Sequence, residues 1–206
     1  GSDAPEKYIE ESIRQGFHTL GFSDHSPVPF ENNFAIREEQ LKEYCRTINE
    51  ILTPPLRAER RPGDEVPREG GAGLGVNILL ALEVDYISGI SIPIDHYRKH
   101  YHFDYFIGSV HLVRNGNSDG LWFIDGPKME VYDEGLKNIF GGDIKKGVTS
   151  YYHQINEMIL TQKPDIVGHL DKIKMYNRNR YFREDEAWYT GLVDETLDII
   201  RNAGTV

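Results

Sequence analysis

Apolar residues along this chain follow two rhythms. Short continuous runs stop abruptly at an acid or a histidine. Longer stretches repeat apolar residues every three or four positions. The first rhythm marks strands buried on both faces, as in parallel sheets, and the second marks amphipathic helices.

The spacing predicts a helix over 3–16, with Asp3 as a cap and Pro5 in its first turn. Tyr8, Ile9, Ile13 and Phe17 form its stripe, and Gly16 ends it. A strand follows over 19–22, and its tip is a loop over 23–33 holding Pro27 and Pro29. Leu41, Tyr44, Cys45, Ile48 and Leu52 predict a second helix over 37–52. Residues 53–75 are rich in Pro, Gly, Arg and Glu and lack any period. They predict a mobile insertion, with a substrate-covering lid as the alternative.

Asn77-Ile78-Leu79-Leu80-Ala81-Leu82 marks a second strand, over 76–87, which runs into Glu83-Val84-Asp85-Tyr86. A helical turn over 95–101 precedes a third strand and tip over 105–111, ending in His111. Residues 115–125 read as a polar loop. Helices are predicted over 127–140 and 144–162, the latter broken by Pro164. Asp165-Ile166-Val167-Gly168-His169-Leu170-Asp171 is a further strand and tip, followed by a basic loop and a last helix over 185–202. Helix and strand alternate throughout, which argues for parallel βα units with right-handed crossovers.

Composition narrows the class. The 206 residues suit a single domain spanning 1–206, and 39% hydrophobic with 27% charged residues is a globular balance. A net charge of -10 counts against a general nucleic-acid surface. It also means that a phosphorylated substrate would need bound cations to offset repulsion. The single cysteine, Cys45, excludes an internal disulfide framework, suits a reducing cytoplasm and reads as a packing residue. No apolar run approaches the ~20 residues that span a bilayer. Both ends read as cut: the chain opens directly in a helix and closes on Gly204-Thr205-Val206, which resembles the start of a strand.

Candidate chemistry gathers at the strand tips. His25, Glu83, His111 and His169 each sit just past an apolar run. In a parallel barrel such positions converge on one mouth. Imidazole nitrogen and a carboxylate able to bridge are what zinc, manganese or iron require. Each residue has a plainer reading: His25 could cap the next element with Asp24, and His111 and His169 could be satisfied structural histidines. Glu83 is harder to set aside, because a charge at a buried strand end needs a partner. The repetition of position carries the metal reading. Asp24, Asp85 and Asp171 either orient imidazoles or are loop acids, with Asp171 favoured by its place two residues after His169. Lys172, Lys174, Arg178 and Arg180 either bind phosphate or form a solvated loop. Gly71-Ala72-Gly73-Leu74-Gly75 precedes a strand instead of opening a helix, the wrong context for dinucleotide binding.

At these tips the chain resembles the polymerase-and-histidinol-phosphatase (PHP) superfamily, in its histidinol-phosphatase branch. The matching stretches are Gly21-Phe22-Ser23-Asp24-His25-Ser26-Pro27, Ala81-Leu82-Glu83-Val84-Asp85-Tyr86, Asp104 through His111, and Asp165 through Asp171. The resemblance implies an α/β fold, a parallel (β/α) barrel of the distorted (β/α)7 type. It implies two to three divalent metal ions (Zn, Mn or Fe) and hydrolysis of a phosphomonoester, L-histidinol phosphate, in histidine biosynthesis. Glu83 would bridge two ions, His111 and His169 would complete the second, and His25 would serve a third. Glu83 and Asp171 are the expected catalytic residues, and Lys172, Lys174 and Arg178 the expected substrate-phosphate ligands.

The pattern also departs from the family. The family's opening His-x-His strand and its late Asp-x-His strand have no counterpart in these residues, so the expected barrel is incomplete at both ends. A metal site short of ligands, with little activity, is the corresponding expectation. The exposed sheet edges would invite pairing with another copy of the chain. The alternatives are a non-catalytic barrel fragment acting as a binding or assembly module, and a PHP-type nuclease, which the acidic charge disfavours. The expected partner is a small phosphate ester, with no nucleic acid and no membrane.

Overall fold

A computed structural model describes residues 3–52, 75–116 and 120–206. The insertion expected over 53–75 lies outside the described residues except for Gly75. Strands β1 (Thr19–His25), β2 (Asn77–Asp85), β3 (Tyr105–Ser109) and β6 (Ile166–Val167) form a four-stranded sheet in the order β1-β2-β3-β6, with every neighbour parallel. Helices α1 (Pro5–Arg14), α2 (Leu41–Leu52), α3 (Ile94–His100), α4 (Met129–Phe140), α5 (Ile144–Gln162) and α6 (Ala187–Ala203) lie before, between and after the strands. The α/β alternation expected from the hydrophobic pattern is the alternation observed.

Register explains what each face of the sheet carries. His25 pairs with Glu83 and Glu83 with Ile107, while Asp24 pairs with Leu82 and Leu82 with Phe106. Side chains alternate along a strand, so His25, Glu83, Asp85 and Ser109 share one face. Leu80, Leu82, Val84 and Phe106 share the other, packed beneath Leu41 and Ile48 of α2 and Ile94 and Tyr97 of α3. Both faces are crowded. The Tyr105 hydroxyl lies 1.9 Å from where a Gly21 Cβ would stand. A Gly108 Cβ would come within 2.8 Å of the Met158 sulfur, so α5 rests directly on β3.

One expectation changes. The segment 115–125, read as a polar loop, ends in strand β5 (Leu121–Phe123), which pairs antiparallel with β4 (Leu112–Arg114). Each strand has only three residues, too few for a period to register. Their stability comes from packing. Val113, Trp122 and Ile124 are fully buried in the larger core with Tyr132, Leu136, Val148 and Tyr151. Gly135 of α4 and Gly147 of α5 make room for the Trp122 ring, since a Cβ at either would fall 2.4 and 2.7 Å from indole carbons. Trp122 Nε1–H donates to the Tyr132 carbonyl at 2.8 Å, which satisfies its buried polar atom.

Beyond α6, Val206 lies alongside β6. Its N–H donates to the Asp165 carbonyl at 3.2 Å, and its carbonyl accepts from Val167 N–H at 2.6 Å. That bonding is the parallel pattern, as the strand-like closing residues imply. No helix among the described residues is long and apolar enough to cross a membrane.

Candidate metal centre

The C-terminal end of β1 delivers His25, that of β2 delivers Glu83 and Asp85, and His111 follows two residues beyond β3. The tips are tied to one another. Ser26 N–H donates to the Glu83 carbonyl at 2.7 Å, Asp85 N–H to the Ser26 hydroxyl at 3.3 Å, and Tyr86 N–H to the Ser109 carbonyl at 2.8 Å. The buried Gln154 side chain of α5 bonds the carbonyls of Tyr86 and Leu112 at 2.8 Å each and accepts from Arg114 N–H at 3.2 Å. A single helix residue therefore fixes the segments just after Asp85 and His111.

Asp85 is at the centre, with 1% of its side chain exposed. One carboxylate oxygen bonds His25 Nδ1 at 2.9 Å and the other bonds His111 Nδ1. An ionised carboxylate only accepts, so both rings carry their proton on Nδ1 and leave Nε2 free to bind. His111 Nε2 lies 3.0 Å from His169 Nε2 and 3.7 Å from Glu83 Oε1, and His169 Nε2 lies 3.3 Å from Glu83 Oε1. His25 stacks edge-on against His111 with 5.1 Å between ring centres.

These donors fit a metal ion. A tetrahedral ion bound at ~2.1 Å separates its donors by roughly 3.4 Å, which the Glu83, His111 and His169 separations bracket. His25, Asp85 and His111 form a second group, held together by the Nδ1 hydrogen bonds to Asp85, that shares His111 with the first. The electrostatics favour a cation here. Burial pushes the Glu83 carboxyl up. Hydrogen bonding from His169 and the nearby imidazoles of His25 and His111 outweigh that and hold it at about 2. Burial likewise raises Asp85, but its bonds to His111 and His25 leave its pKa below the ordinary value. The Asp85 hydrogen bond raises the pKa of His25.

The β6 tip is locally strained. His169 has φ +23°, a left-handed backbone that non-glycine residues rarely adopt. Its neighbour Gly168 lies against Ser109, whose hydroxyl would be 2.2 Å from a Cβ there. The tight approach of β6 to β3 swings the His169 ring over Glu83.

The structure sorts the remaining candidates. Asp24 is exposed, whereas Asp85 orients the imidazoles. Asp171 is exposed at the rim and pairs with Lys174 at 2.8 Å, and Lys174 also reaches Glu184 at 3.0 Å. Arg178 is exposed with φ +44°, and Arg180 is engaged with Asp133. Lys172 does reach the centre, with Nζ 3.5 Å from Asp125 Oδ2. Asp125 is the residue the sequence reading passed over. Its Oδ2 lies 3.7 Å from His111 Nε2, and only 12% of its side chain is exposed. Its signal was present: Leu121-Trp122-Phe123-Ile124-Asp125 is one more apolar run stopped by an acid.

Fold and site together define a parallel α/β protein with a candidate divalent-metal centre at the C-terminal edge of its sheet. The family model for the PHP domain matches residues 1–206, and the chain belongs to that family. It is 26% identical over 174 residues to the "Probable histidinol-phosphatase" of Schizosaccharomyces pombe, a match over 83% of this chain and 51% of that relative. The chain thus spans about half the length of that relative. Among solved structures, the HisK protein of Listeria monocytogenes superposes with a TM-score of 0.73 at 16% identity, over 97% of this chain and 73% of that one. Histidinol phosphate phosphatase from Lactococcus lactis, complexed with Zn, L-histidinol and phosphate, gives 0.61 at 18% identity, over 99% of this chain and 65% of that one. Both superpositions show a shared fold.

Proposed function

We propose that the site formed here is that of a metal-dependent phosphomonoester hydrolase acting on L-histidinol phosphate. The observation that carries the reading is the convergence of Glu83 Oε1, His111 Nε2 and His169 Nε2 within 3.7 Å of one another at the sheet edge. The substrate comes from the histidinol-phosphatase relative and from the Lactococcus lactis neighbour, whose structure holds Zn, L-histidinol and phosphate.

In this reading His25, Glu83, His111 and His169 would hold two to three ions of zinc, manganese or iron. Such ions supply Lewis acidity toward a phosphoryl oxygen and activate water. The chain's own residues do the rest. Asp85 keeps His25 and His111 in the tautomer that presents Nε2. Glu83 stays ionised across the neutral range and offers its oxygens without competition from a proton. Burial of Asp85, and near-burial of His111, excludes water from behind the ligands. Lys172 supplies a positive charge for the phosphate, with Lys174 and Arg178 further along the same loop and Asp171 paired with Lys174.

The test is phosphate release from L-histidinol phosphate, with metal and after chelation. Release that needs metal and is abolished in Glu83→Ala supports the reading. A metal-loaded chain that releases none contradicts it.

A further inference from the structure

Asp125 is an unusual group for a phosphate-handling site. It places a third carboxylate at a mouth already holding Glu83 and Asp85, where a phosphate ester would be repelled. Its Oδ1 is buried with no hydrogen-bond partner among the described residues. A buried carboxylate needs a compensating cation. The cation beside it is Lys172, 3.5 Å from Oδ2 and 30% exposed.

Both residues are placed by backbone features independent of one another. Asp125 follows β5 and is held at the mouth because Ile124 N–H donates to the His111 carbonyl at 3.0 Å. Lys172 opens a short 3-10 turn, Lys172–Lys174, and its N–H donates to the His169 carbonyl at 3.0 Å. The pair therefore joins the segment after β5 to the turn after His169. Lys174, on the same turn, points instead to Asp171 and Glu184.

We propose that Asp125 is a positioning residue that holds the Lys172 ammonium beside His111, ready for the oxygens of a phosphate ester. The inference rests on the phosphatase reading given above. Lysine carries its charge on a long flexible stem and loses much rotamer freedom when fixed. A carboxylate already in place offsets that loss before the phosphate arrives. An ammonium offers three donors, so Lys172 can keep one bond to Asp125 and give others to phosphate.

A double-mutant cycle tests this. Inorganic phosphate is titrated calorimetrically into the zinc-loaded chain, the parent against Asp125→Asn, Lys172→Met and the double variant, with bound metal measured in each. Each single variant is expected to bind phosphate about tenfold more weakly, and the double variant no more weakly than Lys172→Met. Metal content is expected to match the parent in all of them. Asp125→Glu, which retains the charge, is expected to recover part of the loss, and Asp125→Ser takes the place of Asn if that variant does not fold. Tighter phosphate binding in Asp125→Asn would overturn the proposal, because Asp125 would then only repel the anion. Additive losses in the double variant would overturn it too, as would loss of metal in Asp125→Asn. A parent that holds metal but binds no phosphate would overturn the phosphatase reading, and this inference with it.

Discussion

Asp85 and His111 are joined by a hydrogen bond from His111 Nδ1 to one oxygen of a carboxylate that is almost wholly buried, and the other oxygen of Asp85 holds His25. One side chain thereby sets the tautomer of two candidate ligands. An amide cannot do this, because its nitrogen donates where an imidazole N–H already donates. Asp85→Asn is expected to weaken zinc binding about 10- to 100-fold while leaving the fold in place. Competition with a chromogenic chelator measures it. Unchanged affinity would show that the ring orientation is fixed by other contacts.

Gln154 ties the Tyr86 and Leu112 carbonyls together from behind. Gln154→Ala strands those buried acceptors at a cost of about 1–3 kcal/mol. Zinc affinity is expected to fall as well, since the segments carrying Asp85 and His111 are no longer clamped. Chemical denaturation of the chelated protein and zinc titration separate the two effects.

Trp122 gives a control away from the ligands. Gly135→Ala or Gly147→Ala places a methyl group against the indole, and overpacking of this kind costs about 1–3 kcal/mol. Stability in denaturant is expected to fall, with zinc equivalents unchanged. Loss of metal in either variant would tie the hairpin core to the centre more closely than the contacts imply.

The site's titrating groups set a pH dependence for the metal-free chain. Glu83 is depressed from 4.5 to about 2. Its contribution is complete above pH 4.5 and is lost as the pH falls from 4.5 towards 2. His25 is raised above 6.5. Its contribution is complete below 6.5 and is lost as the pH rises through its folded-state value. Stability in chelator is therefore expected to be greatest between about pH 4.5 and 6.5. Bound zinc reverses the alkaline trend, because protons compete for the imidazoles. Thermal melts against pH, with and without chelator, check both limbs, and Glu83→Ala is expected to flatten the acid one.

Much of this was legible in the chain. Strands β1, β2 and β3 announce themselves because each carries an apolar run with an abrupt polar end, and the same rule picked out His25, Glu83, His111 and His169. It failed at Leu121-Trp122-Phe123-Ile124, where the flanking polar residues dominate any window and burial of Trp122 against two helix glycines decides the structure. Asp125 was lost with that strand. The roles of Asp85, Asp171 and Lys172 were undetermined for a different reason. Which acid faces an imidazole and which faces a lysine depends on register and loop path, and these follow from long-range packing such as the approach of Gly168 to Ser109.

The most direct test of the metal centre is a count of ions. The purified chain, loaded with zinc and passed through a desalting column, is analysed by mass spectrometry beside Glu83→Ala. The parent is expected to retain at least one zinc per chain, and Glu83→Ala to lose it while keeping a native melting transition. A parent that retains no zinc, or a Glu83→Ala variant that retains as much as the parent, would contradict the account.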